Sequence, residues 1–265
     1  MQDSPLLRQD SGGIATLTLN APGSLNALSN AMLAALSGQL AALAADRSIR
    51  VVILRAEGRA FCAGHDLREM QAARAAPDQG KRAFADLFAT CAQVMRAITA
   101  LPQPVIAQVH GIAAAAGCQL VASCDMVVAS DQARFGVNGV NIGLFCSTPM
   151  VALTRKVPPA IAFEMLTTGA FLDAARAAQV GLVNLVTPPE TLGAQTRALA
   201  ETVAGKLDAA VKIGKRAFYD QIGLPLEAAY AQTGEAMVEN MLWRDTDEGI
   251  RAFLEKRPPD WADKG

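Results

Sequence analysis

The amino-acid sequence predicts an α/β protein with largely parallel sheets, and two observations lead to that prediction. Three short apolar runs, at 50–56, 104–109 and 126–130, lack strict alternation, as in strands that are covered on both faces. Loops rich in small residues and segments with helical periodicity separate these runs. Strands that alternate with helices in this order are typical of parallel sheets with helical crossovers.

The amino-terminal part predicts one strand and one helix before the first apolar run. The stretch 14–20 alternates between apolar and polar residues and stops at an Ala-Pro-Gly turn. Either Ser29 or Asn30 can cap the helix that follows, because both side chains accept hydrogen bonds from the free amides of a first turn. The leucines of that helix recur at helical spacing: Leu33, Leu36, Leu40 and Leu43.

Between the apolar runs the sequence predicts three more helices. One begins near Asp66, after a glycine-containing loop over 57–65. The next spans 81–101, carries an apolar stripe and ends at Pro102, which has no N–H to continue it. A short helix over 116–124 precedes the third run.

After about residue 148 the chain is predicted to be nearly all helical. Asp173 caps one helix and Gly181 ends it. Four further helices are predicted, at about 190–206, 207–221, 225–243 and 246–257. These helices are rich in methionine and alanine, so they can pack on a core of their own or form an interface between subunits, and we expect an oligomer.

The composition excludes several classes of function. Lys+Arg 24 against Asp+Glu 25 gives a net charge of −1, so neither a basic surface for nucleic acid nor a polybasic membrane anchor is indicated. Hydrophobic residues make up 51% of the chain, but the apolar stretch 105–129 is broken by Gln108, His110, Gln119 and Asp125. It is therefore too interrupted to cross a bilayer, and we expect a soluble protein without a membrane partner.

The cysteines and histidines predict neither a metal site nor disulfides. The five cysteines form no Cys-x-x-Cys pair, and only His65 and His110 accompany them. We expect reduced, mostly buried thiols, with Cys118 a small core residue rather than a nucleophile. Because the first ten residues contain acids and lack an apolar run, we expect a cytoplasmic protein.

Two loops of small residues are the candidate functional site. They occupy 58–67 and 110–120, and each leaves the carboxyl end of an apolar run and enters a helix. Free N–H groups at two such helix starts can form an oxyanion hole, a pair of donors for a carbonyl oxygen that gains negative charge. Alternatively, the small residues only allow a helix to pack closely on a strand. Neither loop has a nucleotide-binding glycine pattern, and no Gly-x-Ser-x-Gly motif occurs.

The first loop resembles a known family. It contains Phe61-Cys-Ala-Gly-His-Asp-Leu67, which is similar to the F-[SCA]-A-G-x-D-[LI] loop of the enoyl-CoA hydratase/isomerase (crotonase) family. Further similar segments follow in order over nearly the whole chain: 104–107, 115–118, 124–125, 134–136, 166–169, 178–183 and 248–257. Within the family, 113–125 and 141–149 resemble one particular branch.

The resemblance implies a fold, a ligand and an assembly. The expected fold is a crotonase-type ββα spiral over 1–200, which would hold the ligand site, followed by a helical trimerisation region over 201–265. The expected ligand is an acyl-CoA thioester, with coenzyme A as part of the substrate and no other cofactor. The expected assembly is a homotrimer or a dimer of trimers.

The resemblance also implies roles for individual residues. The thioester carbonyl would accept hydrogen bonds from the amides of His65 and Ala116, and the small residues up to Gly117 would let it approach the backbone. Residues that would line the CoA moiety are Asn26, Ala27, Leu28, Ala63, Gly64, Asp66, Leu67 and Arg68. Phe253 and Lys256 of a neighbouring subunit would approach the adenine and phosphates, although Lys256 is equally consistent with a solvated charge.

The sequence departs from the family at the two catalytic glutamates of hydratases, where it has Gln119 and Gly139. Gln cannot exchange a proton near neutral pH and Gly has no side chain, so ordinary hydration should be slow. The remaining enzymatic alternatives are isomerisation, decarboxylation and thioester hydrolysis, and the rival class is an acyl-CoA-binding protein without turnover.

Several groups are candidates to replace the glutamates. Asp66 and the His65 imidazole lie next to the predicted oxyanion amides. Cys146, Ser147 and Thr148 lie where some family members place a nucleophile or base, although they can equally cap the helix at Pro149. A bicarbonate ion or an ordered water beside Gly139, held by Asn138 and Gln119, is a further possibility.

Overall fold

A computed structural model describes residues 4–261 of the chain, and its strands form two sheets within that range. The strands are β1 (Leu6–Ser11), β2 (Ile14–Leu19), β3 (Val51–Ala56), β4 (Ala60–Cys62), β5 (Val105–Val109), β6 (Ile112–Ala114), β7 (Met126–Ser130), β8 (Arg134–Gly136), β9 (Phe171–Asp173) and β10 (Leu185–Thr187). The first sheet has the order β1-β2-β3-β5-β7-β10, and the second has the order β4-β6-β8-β9.

From β3 to β8, successive strands alternate between the two sheets, which is the ββα repeat that the resemblance implied. β3, β5 and β7 are parallel neighbours in the large sheet, with Val52 beside Val105 and Ile106 beside Met126. The strands that follow each of them, β4, β6 and β8, are parallel neighbours in the small sheet. Only β1 and β9, at the sheet edges, pair antiparallel. The predicted α/β spiral is confirmed.

The helices cover the spiral and then continue beyond it. Their bounds are α1 (Asn30–Ala45), α2 (Leu67–Ala73), α3 (Lys81–Ala100), α4 (Ala116–Ser123), α5 (Pro149–Leu153), α6 (Pro159–Thr168), α7 (Ala174–Gln179), α8 (Leu192–Ala204), α9 (Asp208–Gln221), α10 (Leu226–Met241) and α11 (Arg244–Leu254). The predicted helices are confirmed within a few residues at their ends. Ser29, rather than Asn30, is the cap of α1, because its side chain accepts from Met32 N.

Six of the strands in the described range were not predicted. β1 precedes the first predicted strand, and β9 and β10 interrupt the half that was expected to be nearly all helical. The other unpredicted strands, β4, β6 and β8, have three residues each. Strands this short show no alternation in the sequence, and their pairing depends on distant segments.

The core lies on both faces of the large sheet, as the continuous apolar runs predicted. One face joins α1, α3 and α4 in a large buried cluster that includes Phe61 and Phe135. The other face packs Ile14, Val51 and Ile106 against α8. None of the helices between residues 4 and 261 has the length and apolarity that a bilayer crossing requires.

A buried ion pair fastens α9 to the spiral. Lys215 Nζ lies 2.7 Å from Asp125 Oδ2 and also donates to the carbonyl oxygens of Ile98 and Gln103 at 3.0 Å. The hydroxyl of Tyr219 donates to Asp125 Oδ1 at 2.7 Å. α10 is different, since it has no buried residue.

Candidate functional site

The two predicted loops meet at one end of the small sheet. β4 and β6 are parallel neighbours, with Cys62 beside Ala113, so the loops that leave their carboxyl ends lie side by side. Gly64 has φ +97°, and a methyl group placed on it would lie 3.0 Å from Ala115 Cβ and 3.4 Å from Ala116 N. The backbone of the first loop is therefore in contact with the start of α4.

Two backbone amides at this contact have no acceptor. Ala116 is the first residue of α4, so its N–H has no partner within the helix, while the preceding amide of Ala115 donates to Gly136 O at 2.8 Å. The N–H of His65 is likewise without an acceptor in the part of the chain that the structure describes, although the neighbouring Gly64 carbonyl accepts from Leu28 N at 2.7 Å. Both free donors belong to the paired loops.

The turn that presents the second amide is strained. Ala115 has φ +48° and ψ −117°, a conformation that residues with a Cβ rarely adopt. Such positions cost about 1–3 kcal/mol each and persist only where the surrounding structure fixes them. Here the hydrogen bond to Gly136 and the packing of α4 hold the turn.

A cavity of about 270 Å³ opens beside these amides. Its lining residues are Ala63, His65, Leu67, Met70, Phe88, Ala115, Ala116, Asn138, Gly139, Ile142, Leu144, Phe145, Cys146, Ser147, Thr148 and Pro149. Within residues 4–261, this lining contains no carboxylate and no Lys or Arg, and its titratable side chains are His65 and Cys146. The cavity suits an apolar group attached to a carbonyl.

The imidazole of His65 is largely buried without a hydrogen-bond partner. Its Nδ1 and Nε2 atoms are both shielded from solvent and unpaired within the described residues. The ring packs edge-on against Phe88, with the ring centroids 5.6 Å apart. Burial lowers the pKa of His65 below its usual value, so the ring is neutral at pH 7.

Cys146 is the other titratable group in the lining. Its side chain is 6% exposed, and burial raises the pKa of its thiol, which is therefore protonated at neutral pH. Thr148, which precedes α5, makes no side-chain cap bond, and Ser147 donates to Phe145 O at 3.4 Å. The alternative that these residues cap the helix at Pro149 is therefore wrong.

The two positions at which the resemblance implied glutamates, Gln119 and Gly139, differ in their surroundings. Gly139 lines the cavity, but a methyl group placed on it would overlap Leu144 O and lie 2.8 Å from Cys146 Sγ. Gln119 is buried in α4 and does not belong to the lining; its Oε1 lies 4.0 Å from Cys91 Sγ. Neither position supplies a group that can take a proton.

Several of the predicted CoA-lining residues have structural partners. Asn26 is fully buried, where its Oδ1 accepts from Ala21 N and its Nδ2 donates to Glu57 O and Ala60 O at 2.8 and 2.9 Å. Ala27 and Leu28 are buried beside the first loop. Their side chains and that of Asn26 do not line the cavity.

The remaining residues of the first loop either support its backbone, line the cavity or lie at the surface. Asp66 caps α2 by accepting from the amides of Arg68 and Glu69, so it is occupied at the helix start. Leu67 and Ala63 line the cavity, whereas Arg68 is exposed at the surface. Gly117 packs directly on β4, because a methyl group there would overlap the Cys62 carbonyl oxygen.

The remaining candidates lie away from the cavity of a single chain. Phe253 is 80% exposed on α11, and Lys256 follows that helix with φ +55°. Cys118 is fully buried, outside the lining, and burial raises its pKa to about 12. In the described range no cluster of three or more His, Cys, Asp or Glu side chains is placed to hold a metal ion.

Sequence reasoning missed the apolar wall opposite the loops. It consists of Met70 and Phe88 together with Ile142, Leu144 and Phe145. Phe88 belongs to the apolar stripe of α3, but nothing in the stripe shows that this member faces a cavity rather than the core. The residues from 142 to 145 show no hydrophobic periodicity, so the sequence did not predict that they line a cavity.

Comparison with known proteins gives consistent matches over the whole fold. The family model described as "Enoyl-CoA hydratase/isomerase" matches residues 9–264. Enoyl-CoA hydratase domain-containing protein 3 of Xenopus laevis is 45% identical over 99% of this chain and 88% of its own length.

Two solved structures match as well. An enoyl-CoA hydratase from Mycobacterium smegmatis matches with a TM-score of 0.93 and 53% identity, over 97% of this chain and 98% of that one. The human enoyl-CoA hydratase domain-containing protein 3 matches with a TM-score of 0.92 and 44% identity, over 97% of this chain and all of that one. These matches include the branch that residues 113–125 and 141–149 resembled.

The names of the relatives correct one prediction. Enoyl-CoA hydratase domain-containing protein 3 is named a mitochondrial protein in Xenopus laevis, Mus musculus and Homo sapiens, at 45%, 45% and 46% identity to this chain. These names contradict the cytoplasmic location that we predicted from the first ten residues. The composition of so short a segment did not discriminate between compartments.

Proposed function

Because the chain belongs to the enoyl-CoA hydratase/isomerase family, we propose that it binds acyl-CoA thioesters and stabilises a thioester enolate with two backbone amides. The amides are those of His65 and Ala116. In this proposal the acyl group occupies the apolar cavity and the thioester carbonyl lies between the two loops.

The pair of unpaired amides beside the cavity is the observation that carries the proposal. A buried N–H without an acceptor is rare in a folded protein, and two on adjacent loops call for an acceptor that the chain does not provide. A thioester oxygen that gains negative charge in an enolate is such an acceptor. Losing one donor of an oxyanion hole typically costs about 3 kcal/mol of transition-state stabilisation.

The carboxylate-free cavity limits the reactions that suit the site. Hydration needs groups that move protons to and from water, and Gln119 and Gly139 do not provide them. Decarboxylation of a malonyl-type thioester, which carries its carboxylate on the α-carbon, forms the same enolate without a base, and isomerisation or thioester hydrolysis needs a proton acceptor other than a carboxylate. A bicarbonate ion or a water beside Gly139 stays a proposal, and it would have to lie on the cavity side, away from Leu144 O and Cys146 Sγ.

A homologue that binds acyl-CoA without turning it over is the second candidate. The observation in its favour is the same lack of carboxylates in the lining. It predicts tight binding of acyl-CoA esters and no product from any of them.

We also propose that the chain forms a homotrimer or a dimer of trimers through its last three helices. These helices expose large apolar side chains: Phe218, Ile222, Leu226, Tyr230, Met237, Val238, Met241, Leu242, Ile250, Phe253 and Leu254. An exposed apolar surface on this scale is typical of an interface. Phe253 and Lys256 could then approach the CoA of a neighbouring subunit.

Binding and turnover should be measured separately with acetyl-, butyryl-, crotonyl- and malonyl-CoA. The proposal predicts that butyryl-CoA binds at least about 10-fold more tightly than free CoA, because only the ester has a thioester carbonyl to accept from the two amides. Gly64→Ala should reduce that preference, since the added methyl group would press on Ala115, whereas Gly38→Ala on open α1 should not. Equal affinity for butyryl-CoA and CoA would contradict the proposal, and product formation would exclude the second candidate.

A further inference from the structure

The cavity holds one group that can act as a base at neutral pH. Among the described lining residues only His65 and Cys146 titrate, and Cys146 is a protonated thiol. The imidazole of His65 is neutral, so it has a free lone pair. No other lining side chain offers a lone pair of comparable basicity.

The imidazole nitrogens make no hydrogen bond of normal geometry within the described residues, although the nearby backbone of Leu28 opposes part of the effect of burial on the pKa of His65. Buried polar groups in native proteins are hydrogen-bonded with few exceptions, and an exception calls for an explanation such as a catalytic role. Nδ1 and Nε2 of His65 are both exceptions, and the nearest ring, Phe88, offers only an edge contact. The missing partner is therefore a group that enters the site.

No charged side chain competes for the imidazole. On its own segment, Asp66 accepts from the first amides of α2 and Glu69 accepts from Asn30 N, while Arg68 is exposed. On the other elements that line the cavity, α3, α4 and the segment 138–149, the titratable lining group is the neutral Cys146. The imidazole is thus free to act on a ligand.

The covalent geometry places the imidazole near the reacting carbon. The amide and the imidazole of His65 leave the same Cα, so a ligand oxygen held by the amide lies within one side-chain length of the ring. The α-carbon of an acyl thioester is bonded to the carbonyl carbon that carries this oxygen. One residue can therefore contact both the oxygen and the α-hydrogen.

We propose that His65 is the general base of this site and removes the α-proton of the bound acyl thioester. This inference rests on the proposed function, because it requires the thioester oxygen between the amides of His65 and Ala116. The α C–H bond breaks, its electron pair forms the carbon–carbon double bond of the enolate, and the oxygen takes the negative charge. The proton moves to an imidazole nitrogen, and it returns to the α-carbon, or exchanges with water first, when the carbonyl re-forms.

Exchange of the α-protons of butyryl-CoA in D₂O, followed by mass spectrometry, tests the inference. The wild type should incorporate deuterium, and His65→Gln should exchange about 100-fold or more slowly, because general base catalysis contributes that much. The backbone amide remains in this variant, so its affinity for butyryl-CoA should stay within about 3-fold. The control is Arg82→Gln, at an exposed position of α3 outside the cavity and outside the two loops. It should exchange like the wild type.

Two further readouts separate a base from a structural side chain. In His65→Ala, added imidazole should restore exchange in proportion to its concentration, because it can occupy the vacated space. The wild-type rate should be constant from neutral pH upward and fall only below the pKa of a free imidazole.

Each outcome decides the question. Unchanged exchange in His65→Gln, or a wild-type rate that rises with pH without a plateau, would overturn the inference, and the second of these needs no variant. A wild type that binds butyryl-CoA but does not exchange its α-protons would overturn it too, while leaving acyl-CoA binding in place. A wild type that does not bind butyryl-CoA would instead overturn the proposed function.

Discussion

At the scale of single residues, the site depends on backbone positions that tolerate little change. Ala115 adopts a left-handed conformation to present the amide of Ala116, and Gly117 lets α4 contact β4. The need for a small residue at Gly117 could be anticipated from the loop sequence. The strain at Ala115 could not, because alanine gives no signal for a positive φ.

Replacing Ala115 by glycine should stabilise the protein by about 1 kcal/mol, because glycine adopts this conformation without strain. Urea unfolding measures the change. The control is Ala114→Gly in β6, one residue earlier, where φ is ordinary and glycine should destabilise the strand. A destabilised Ala115→Gly would show that the turn is not strained.

Replacing Gly117 by alanine should destabilise the protein by about 3 kcal/mol or more, since the methyl group would overlap the Cys62 carbonyl and neither backbone can yield freely. Gly38→Ala, at an exposed position of α1, is the matched control and should stabilise by up to about 1 kcal/mol through helix propensity. Thermal unfolding of both variants gives the comparison. Similar melting temperatures would refute the close contact between α4 and β4.

At the scale of elements, one buried ion pair anchors α9 to the spiral. Lys215 and Asp125 come from segments 90 residues apart, so no local pattern predicts their contact. Burial lowers the pKa of Lys215, and Asp125 opposes that effect. Long periodic helices such as α1 and α3 were predictable because their signal is local. The three-residue strands and the wall at 142–145 were not, because distant contacts define them.

Replacing Lys215 by methionine should destabilise the protein by about 3–5 kcal/mol, because Asp125 would keep its buried charge and lose its main partner. Lys212→Met on the same helix removes a more exposed i,i+4 pair and should cost less than about 1 kcal/mol. Denaturant unfolding of the two variants gives the comparison. Equal losses of unfolding free energy in the two variants would mean that the buried ion pair does not anchor α9 to the spiral.

At the scale of the whole molecule, the described chain has one apolar cavity with free amides and one apolar surface on its last helices. The division into a spiral and a helical region followed from the resemblance and the composition. The position of the boundary between the two regions stays a prediction. The absence of catalytic carboxylates was visible in the sequence. Only the three-dimensional structure shows that a side chain at position 139 would collide with Leu144 O and Cys146 Sγ.

The exposed surface of α10 provides a test of assembly. Met237→Glu combined with Leu242→Glu should convert the proposed oligomer to a monomer. Both side chains are more than half exposed in the single chain, and the proposed interface would bury the new charges. Light scattering after size-exclusion chromatography measures the mass. Arg82→Glu, at an exposed position of α3, is the control and should leave the mass unchanged. An unchanged mass in the double variant would place the interface elsewhere.

The most direct test of the central claim is the infrared spectrum of butyryl-CoA labelled with ¹³C at the thioester carbonyl, free and bound. If the amides of His65 and Ala116 hold the oxygen, the carbonyl stretch should move to lower frequency on binding, because two donors polarise the bond. The shift should be smaller in Gly64→Ala, where the loops are forced apart. A ligand that binds with its carbonyl stretch unchanged from water would contradict the account.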